Sequence, residues 1–187
     1  AFFAAYGVMS IPAGMLIERF EAKPVLVGAF VLAFLGAALF AFKPSYGIAL
    51  PSLFTIAVGF AMLQVVINPL LRVAGGEEHY AFFANLSQLV FGAASFLSPH
   101  VFAYLVKHIG EGQAASSALM RLLARVTPAH LPWLSLYWVF AAILLVMVLV
   151  VAWVKVPAME LKEDERVGST AVLGMLLKKP VVQLYFL

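Results

Sequence analysis

The sequence predicts an all-α membrane protein with about five complete transmembrane helices, and three observations support that prediction. Of the 187 residues, 64% are hydrophobic and 11% are charged, whereas a soluble domain is nearer half apolar and a quarter charged. The apolar residues form runs close to the roughly 20 residues that a spanning helix needs. The alternation of a membrane barrel is absent, and a backbone in lipid must satisfy its own hydrogen bonds, so we expect helices.

Five apolar runs approach or reach membrane-spanning length, and a sixth begins near Pro180. We expect a transmembrane bundle over residues 1–154, a cytoplasmic linker over residues 155–179 and the start of another transmembrane segment over residues 180–187. Both ends of the chain lie within apolar runs, which indicates a piece of a larger chain. The five runs are Ala1–Ile17, Pro24–Phe42, Gly47–Leu71, Tyr80–Val106 and Leu131–Val154.

The connections between the runs indicate a short surface helix and an orientation. In the long connection Lys107–Pro132, residues Ala114–Val126 carry apolar side chains at helical spacing, which predicts a surface helix. Eight Lys and Arg residues fall on one side of the predicted membrane and four on the other, so we place the first group in the cytoplasm. The eight are Arg19, Lys23, Arg72, Lys155, Lys162, Arg166, Lys178 and Lys179, and the four are Lys43, Lys107, Arg121 and Arg125.

The second and fifth runs are the least polar, and they lie three spans apart. If one span precedes Ala1, they are the third and sixth helices of a six-helix half that consists of two three-helix repeats. We therefore expect Pro24–Phe42 and Leu131–Val154 at the periphery of the bundle, where they face lipid more than the other helices do.

The third and fourth runs each carry a line of small and polar side chains. Gln64 and Asn68 are four residues apart and share a helix face. The next run carries a stripe with spacings of three and four, formed by Asn85, Gln88, Gly92, Ser95 and Pro99. Such amides either join helices to one another or line a water-filled cavity for a polar solute. Pro69 favours the cavity, because it removes a backbone hydrogen bond and predicts a local break in the helix.

Composition and spacing exclude several classes of function. A net charge of +3 is too small to indicate nucleic-acid binding, and the absence of cysteine excludes disulfides and Cys-based metal sites. All nine acidic residues lie at span ends or in connections, so these helices offer no proton-carrying carboxylate at mid-membrane. No catalytic triad, His-rich metal spacing or phosphate-binding glycine loop is present, and we expect no enzymatic activity and no cofactor.

The segment Pro12–Lys23 resembles the loop motif of the major facilitator superfamily. Four positions match that motif, namely Gly14, Glu18, Arg19 and Lys23, whereas Glu21 stands where the family usually has a second glycine. The resemblance implies that Glu18 and Arg19 contribute to a cytoplasmic gate. An ordinary charged turn is the alternative interpretation of the same residues.

The segments Gln64–Pro69, Gly75–Glu78 and Asn85–Gly92 look more specifically like the fucose–proton symporter branch, which includes glucose and galactose permeases. This resemblance covers nearly the whole chain as helices two to six and the start of helix seven of a major-facilitator half bundle. The fucose permeases have a glutamate where this chain has Gln64, and a second asparagine where it has Phe91. Proton coupling through position 64 is therefore in question, and the first helix, which carries an important aspartate in fucose permeases, is not in this chain.

The resemblance implies a multi-pass transporter of the bacterial inner membrane that moves a monosaccharide by alternating access, with H⁺ or Na⁺ as coupling ion. Its substrate-binding residues would be Gln64, Asn68, Asn85 and Gln88, since amides offer donors and acceptors to sugar hydroxyls. Its partners would be the sugar, the lipid bilayer, and the first helix and C-terminal half of the same chain. A major-facilitator exporter of a non-sugar solute, an integral-membrane enzyme and a non-transporting scaffold are the alternatives.

Overall fold

The computed structural model describes residues 2–110 and 117–157, and all regular structure within these ranges is helical. Two short 3₁₀ turns, Glu77–His79 and Pro132–Leu134, precede the fourth and sixth helices. The helices are α1 (Phe2–Arg19), α2 (Ala22–Phe42), α3 (Tyr46–Gly75), α4 (Tyr80–Gly110), α5 (Ala118–Val126) and α6 (Ser135–Trp153).

The helix bounds agree with the predicted apolar runs to within a few residues. Within residues 2–110 and 117–157, four segments are long and apolar enough to cross a membrane: α2, α3, α4 with its preceding turn, and α6 with its preceding turn. The remaining long helix, α1, has 18 residues. The predicted linker beyond residue 157 and the predicted span that starts near Pro180 lie outside the described residues.

The predicted break at Pro69 is wrong, because α3 continues without interruption through both Pro51 and Pro69. Proline removes one backbone hydrogen bond from a helix, but the rest of the α3 ladder remains. Pro69 is buried, so packing of this face against the bundle keeps the helix continuous. The helix ends instead at Gly76, which has a φ of 76° in the region that glycine adopts at little cost.

Helices α2 and α3 approach each other closely because glycine and alanine occupy the crossing. A Cβ atom placed on Gly59 would lie 2.6 Å from the carbonyl oxygen of Ala29 and 2.9 Å from the backbone nitrogen of Ala33. A Cβ atom placed on Gly36 would lie 2.8 Å from the carbonyl oxygen of Ser52. Small residues at a helix crossing allow this backbone approach in membrane bundles.

Helix α2 packs on several neighbours within the described residues, and the peripheral position expected for Pro24–Phe42 and Leu131–Val154 in the complete bundle stays a prediction. One core cluster joins α2 to α1 and α3, and another joins Ala33 and Ala37 of α2 to Ala141 and Leu144 of α6. In the apolar part of α2 44% of the residues are buried, against 39% in α3, 22% in α6 and 6% in α4. The purely apolar composition of α2 reflects contact with other helices as well as with lipid.

Helix α5 confirms residues 118–126 of the surface helix predicted over Ala114–Val126, while residues 114–116 of that prediction lie outside the described residues. It begins after Ser117, whose side-chain oxygen accepts a hydrogen bond of 3.2 Å from the Met120 backbone N–H. Such a cap satisfies one of the free donors at a helix start. Among the apolar positions of this helix, Met120 and Leu123 are buried, whereas Leu119 and Leu122 are exposed.

The orientation of α3 leads to a labelling prediction. Ser45 precedes α3 and Glu78 follows it, and both are exposed. We expect cysteines at these two positions of the full-length protein to react with a membrane-impermeant maleimide from opposite sides, with Glu78→Cys on the cytoplasmic side. Labelling of intact and permeabilised cells measures this, and reaction of both cysteines from the same side would contradict the topology.

Candidate functional site

A cavity of about 460 Å³ lies between α3 and α4, and the four amide side chains predicted from the sequence line it. Gln64 and Asn68 come from α3, and Asn85 and Gln88 come from α4. All four side chains are exposed rather than packed. The arrangement therefore brings two stripes from consecutive helices to one polar opening.

The packing of α3 determines where its amides point. Met62, Val66 and Pro69 are buried, and Met62 and Val66 belong to the core cluster with α1 and α2. In a helix with 3.6 residues per turn, Gln64 and Asn68 lie on the side opposite these residues. The amides consequently face away from the core and toward α4.

Helix α4 supplies the second wall of the cavity. The hydroxyl of Ser87 donates to the carbonyl oxygen of Phe83 at 2.9 Å, so it is satisfied within its own helix. Only part of the predicted stripe on α4 reaches the cavity, since Gly92, Ser95 and Pro99 are exposed but do not line it. The hydroxyl of Ser95 likewise donates to its own helix, at 2.9 Å from the Phe91 carbonyl oxygen.

One end of the cavity is fixed by the turn between α3 and α4. The ring of Phe83 lies directly over Gly75, where there is no room for a Cβ atom. Gly76 then turns the chain through its positive φ into the Glu77–His79 turn. These two glycines, which the sequence shows only as a connection, set the approach of the two amide-bearing helices.

The apolar and aromatic wall of the cavity was not predicted from the sequence. On α4, Tyr80, Ala84 and Phe91 follow the helical spacing of the amides, and on α3 Ile67 and Leu71 do so. This spacing could have identified them, but in an apolar chain such residues do not stand out. Phe91 was noted in the sequence because the fucose permeases have an asparagine at this position. Its side chain lines the same cavity.

The four residues of the loop motif lie at the end of α1 and the start of α2. Gly14 is buried, Glu18 and Arg19 are exposed, and Lys23 is half-buried. The guanidinium carbon of Arg19 lies 5.9 Å from the centre of the Phe20 ring, within range of a cation–π interaction. Glu21 has a φ of −61°, which any residue can adopt, so this turn does not require the glycine that the family usually has there.

The chain is similar to known proteins along its whole length. The family model described as Major Facilitator Superfamily matches residues 1–187. The L-fucose-proton symporter of Escherichia coli K12 is 30% identical over 175 residues, which cover 86% of this chain and 38% of that protein. The glucose/galactose transporter of Brucella abortus biovar 1 is 31% identical over 167 residues, which cover 88% of this chain and 37% of that protein.

Solved structures show the same likeness. The E. coli fucose:proton symporter FucP superposes with a TM-score of 0.64 at 25% identity, and the match covers 95% of this chain and 47% of that one. A FucP structure in the outward conformation gives a TM-score of 0.66 at 28% identity, with coverage of 95% and 45%. This chain thus spans less than half the length of the relatives that it matches. It forms part of a multi-pass integral membrane protein and belongs to the major facilitator superfamily.

Proposed function

We propose that this chain belongs to a transporter that carries a monosaccharide across the bacterial inner membrane by alternating access and ion-coupled symport. A hexose such as glucose or galactose, or a related sugar, is the expected substrate. One observation carries the proposal: four amides from α3 and α4 line one cavity. Relatives over the same region include an L-fucose-proton symporter and a glucose/galactose transporter.

The chemistry of the cavity suits a neutral polyol. Each amide has a carbonyl acceptor and two N–H donors, so neighbouring sugar hydroxyls can be matched on several sides. The Phe91 ring and the Ile67 side chain add apolar surface, against which the C–H groups of a sugar ring can pack. A few placed polar groups in a largely apolar wall are typical of small-molecule sites.

Proton coupling requires a titratable group, and the residues that line this cavity do not supply one in the physiological pH range. Gln64 is an amide, and the residues that line the cavity are all uncharged. An amide does not titrate in the physiological range, so Gln64 itself does not carry a coupling proton. For H⁺ symport, we therefore place the titratable coupling group outside this cavity.

The loop motif is assigned a gating role in this proposal. Gly14, Glu18, Arg19 and Lys23 lie where α1 meets α2, at the same end of the bundle as the turn between α3 and α4. Positive residues assign this end to the cytoplasm. Exposed charges at such an end can pair with the opposite half of a transporter in one state and release it in the other.

Counterflow in proteoliposomes tests the proposed function. We expect the purified full-length protein to exchange external labelled hexose for internal unlabelled hexose, and to reject L-glucose as a stereochemical control. A panel of hexoses and N-acetylhexosamines identifies the substrate. Exchange of a non-sugar solute alone, by protein shown to be folded by thermal melting, would assign the cavity to a different substrate class.

A further inference from the structure

Among the described residues, helix α5 packs on the bundle through one side. Its buried residues Met120 and Leu123 form a core cluster with Leu105 and Ile109 near the end of α4. Leu136, Trp138 and Val139 from the start of α6 pack against that cluster. The helix is therefore fixed at the level where two membrane-length helices end and begin.

A second side of α5 is apolar and, within the part of the chain that the structure describes, exposed. Leu119 is 63% exposed, Leu122 is 59% exposed and Val126 is 41% exposed. Their spacing of three and four residues places them on one face, next to the face that packs on the bundle. Apolar side chains that are both aligned and uncovered on a fixed helix indicate an apolar environment beside it.

A third side of α5 is basic. Arg121 and Arg125 are four residues apart and both are exposed. They lie across the helix axis from the buried residues Met120 and Leu123, so both side chains start on the side that faces away from the bundle core. A helix with one apolar side and arginines on another has the composition of an interfacial membrane helix.

Aromatic residues place this end of the bundle at the membrane surface. Trp138 stacks edge-on against Phe42 with ring centres 4.7 Å apart, and Trp133 lies 5.9 Å from Phe40. Tryptophan is enriched at the boundary between hydrocarbon and headgroups. Since α5 packs on Trp138, it lies at that boundary.

We propose that α5 is an interfacial helix that binds anionic phospholipid in the leaflet opposite the cytoplasm. Leu119, Leu122 and Val126 contact acyl chains, while Arg121 and Arg125 bind headgroup phosphates by charge-assisted hydrogen bonds. The charge of the two arginines favours this occupant over a neutral partner. A second copy of the chain is disfavoured, because a helix of about 14 Å presents far less than the roughly 800 Å² per partner of a stable interface. The inference does not depend on which solute is transported.

Site-directed spin labelling tests the apolar side of α5. The neighbouring variants Leu122→Cys and Arg121→Cys form a matched pair. Each is made in full-length protein without other cysteines, spin-labelled and reconstituted in liposomes. The nitroxide at position 122 is expected to collide more with oxygen, which concentrates in lipid, and the nitroxide at position 121 more with a water-soluble nickel complex. Equal access of the nickel complex to both labels would overturn the proposal. Shielding of label 122 from both reagents would also overturn it, and dimers on cross-linking would then assign this face to a second copy.

Lipid retention tests the basic side. Nanodisc or native mass-spectrometric measurements compare how much phosphatidylglycerol and phosphatidylcholine each protein retains. The proteins are wild type, Arg121→Gln, the double variant Arg121→Gln/Arg125→Gln and the control Lys155→Gln. Lys155 is exposed and follows the opposite end of α6. We expect the preference for phosphatidylglycerol to fall about fivefold for one arginine and about thirtyfold for both, with the control unchanged. An unchanged preference in the double variant, or an equal loss in the control, would overturn the assignment.

Discussion

Replacing Gly59 with alanine is expected to destabilise the membrane bundle, whereas replacing Gly28 with alanine is expected to leave it intact or slightly stabilised. A Cβ atom at position 59 would lie 2.6 Å from the Ala29 carbonyl oxygen, while nothing lies within 4 Å of a Cβ atom at position 28. Because the obstacle at position 59 is backbone, the helices must separate to admit the methyl group. Overpacking of this kind costs about 1–3 kcal/mol and occasionally more.

The Gly28→Ala control is expected to change stability in the opposite direction from Gly59→Ala. Alanine has a higher helix propensity than glycine, by about 1 kcal/mol in a soluble helix interior. Both substitutions therefore gain the same helix-propensity contribution to stability. Thermal melting of the full-length protein in detergent, followed by size-exclusion chromatography, measures the difference. We expect Gly36→Ala to lower the melting temperature as Gly59→Ala does, since its Cβ atom would lie 2.8 Å from the Ser52 carbonyl oxygen. Equal melting temperatures for the variants at positions 28 and 59 would contradict the close crossing.

The second large effect is expected on sugar binding when Gln64 and Gln88 are replaced by leucine. Both side chains line the α3–α4 cavity and are exposed, so in the proposed role their replacement removes hydrogen bonds to the sugar without creating a core defect. A hydrogen bond contributes about 0.5–1.5 kcal/mol net, and more when a partner is left unsatisfied. Each substitution should therefore weaken binding by a few-fold to tenfold or more, with little change in melting temperature.

Ser95→Ala provides the matched control for the leucine variants. Ser95 lies on the same stripe of α4 but does not line the cavity, and its hydroxyl is bonded within its own helix. Sugar binding and counterflow should be close to wild type in this variant. Normal transport by both leucine variants would show that the amides only join helices, and a sugar-bound structure of the full-length protein would then locate the substrate elsewhere.

The predicted helices and the predicted amide stripes depend on local pattern, and this is why they could be read from the sequence. The length of an apolar run decides whether it can span hydrocarbon, and the bounds of α2, α3, α4 and α6 follow the runs closely. The position of Gln64 relative to Asn68 follows from helix geometry alone. That the two stripes would meet was a hypothesis, and the cavity between α3 and α4 now supports it.

Features that depend on the packing of distant residues could not be read in this way. Polarity alone did not show which face of α2 packs on other helices, and its small residues lie against α3 and α6. The sequence predicted a break in α3 at Pro69, but the helix is continuous there, because tertiary contacts outweigh one missing backbone hydrogen bond.

The sequence by itself determined that this is a helical membrane protein, where its helices lie to within a few residues, and which helix faces carry polar groups. Only the tertiary structure decided which apolar residues contact other helices. Met120 and Leu123 of α5 are buried while Leu119 and Leu122 are exposed, although all four are apolar and lie within one short helix. The physical reason is that lipid and protein interiors both accept apolar side chains, so hydrophobicity identifies membrane residues without distinguishing their neighbours.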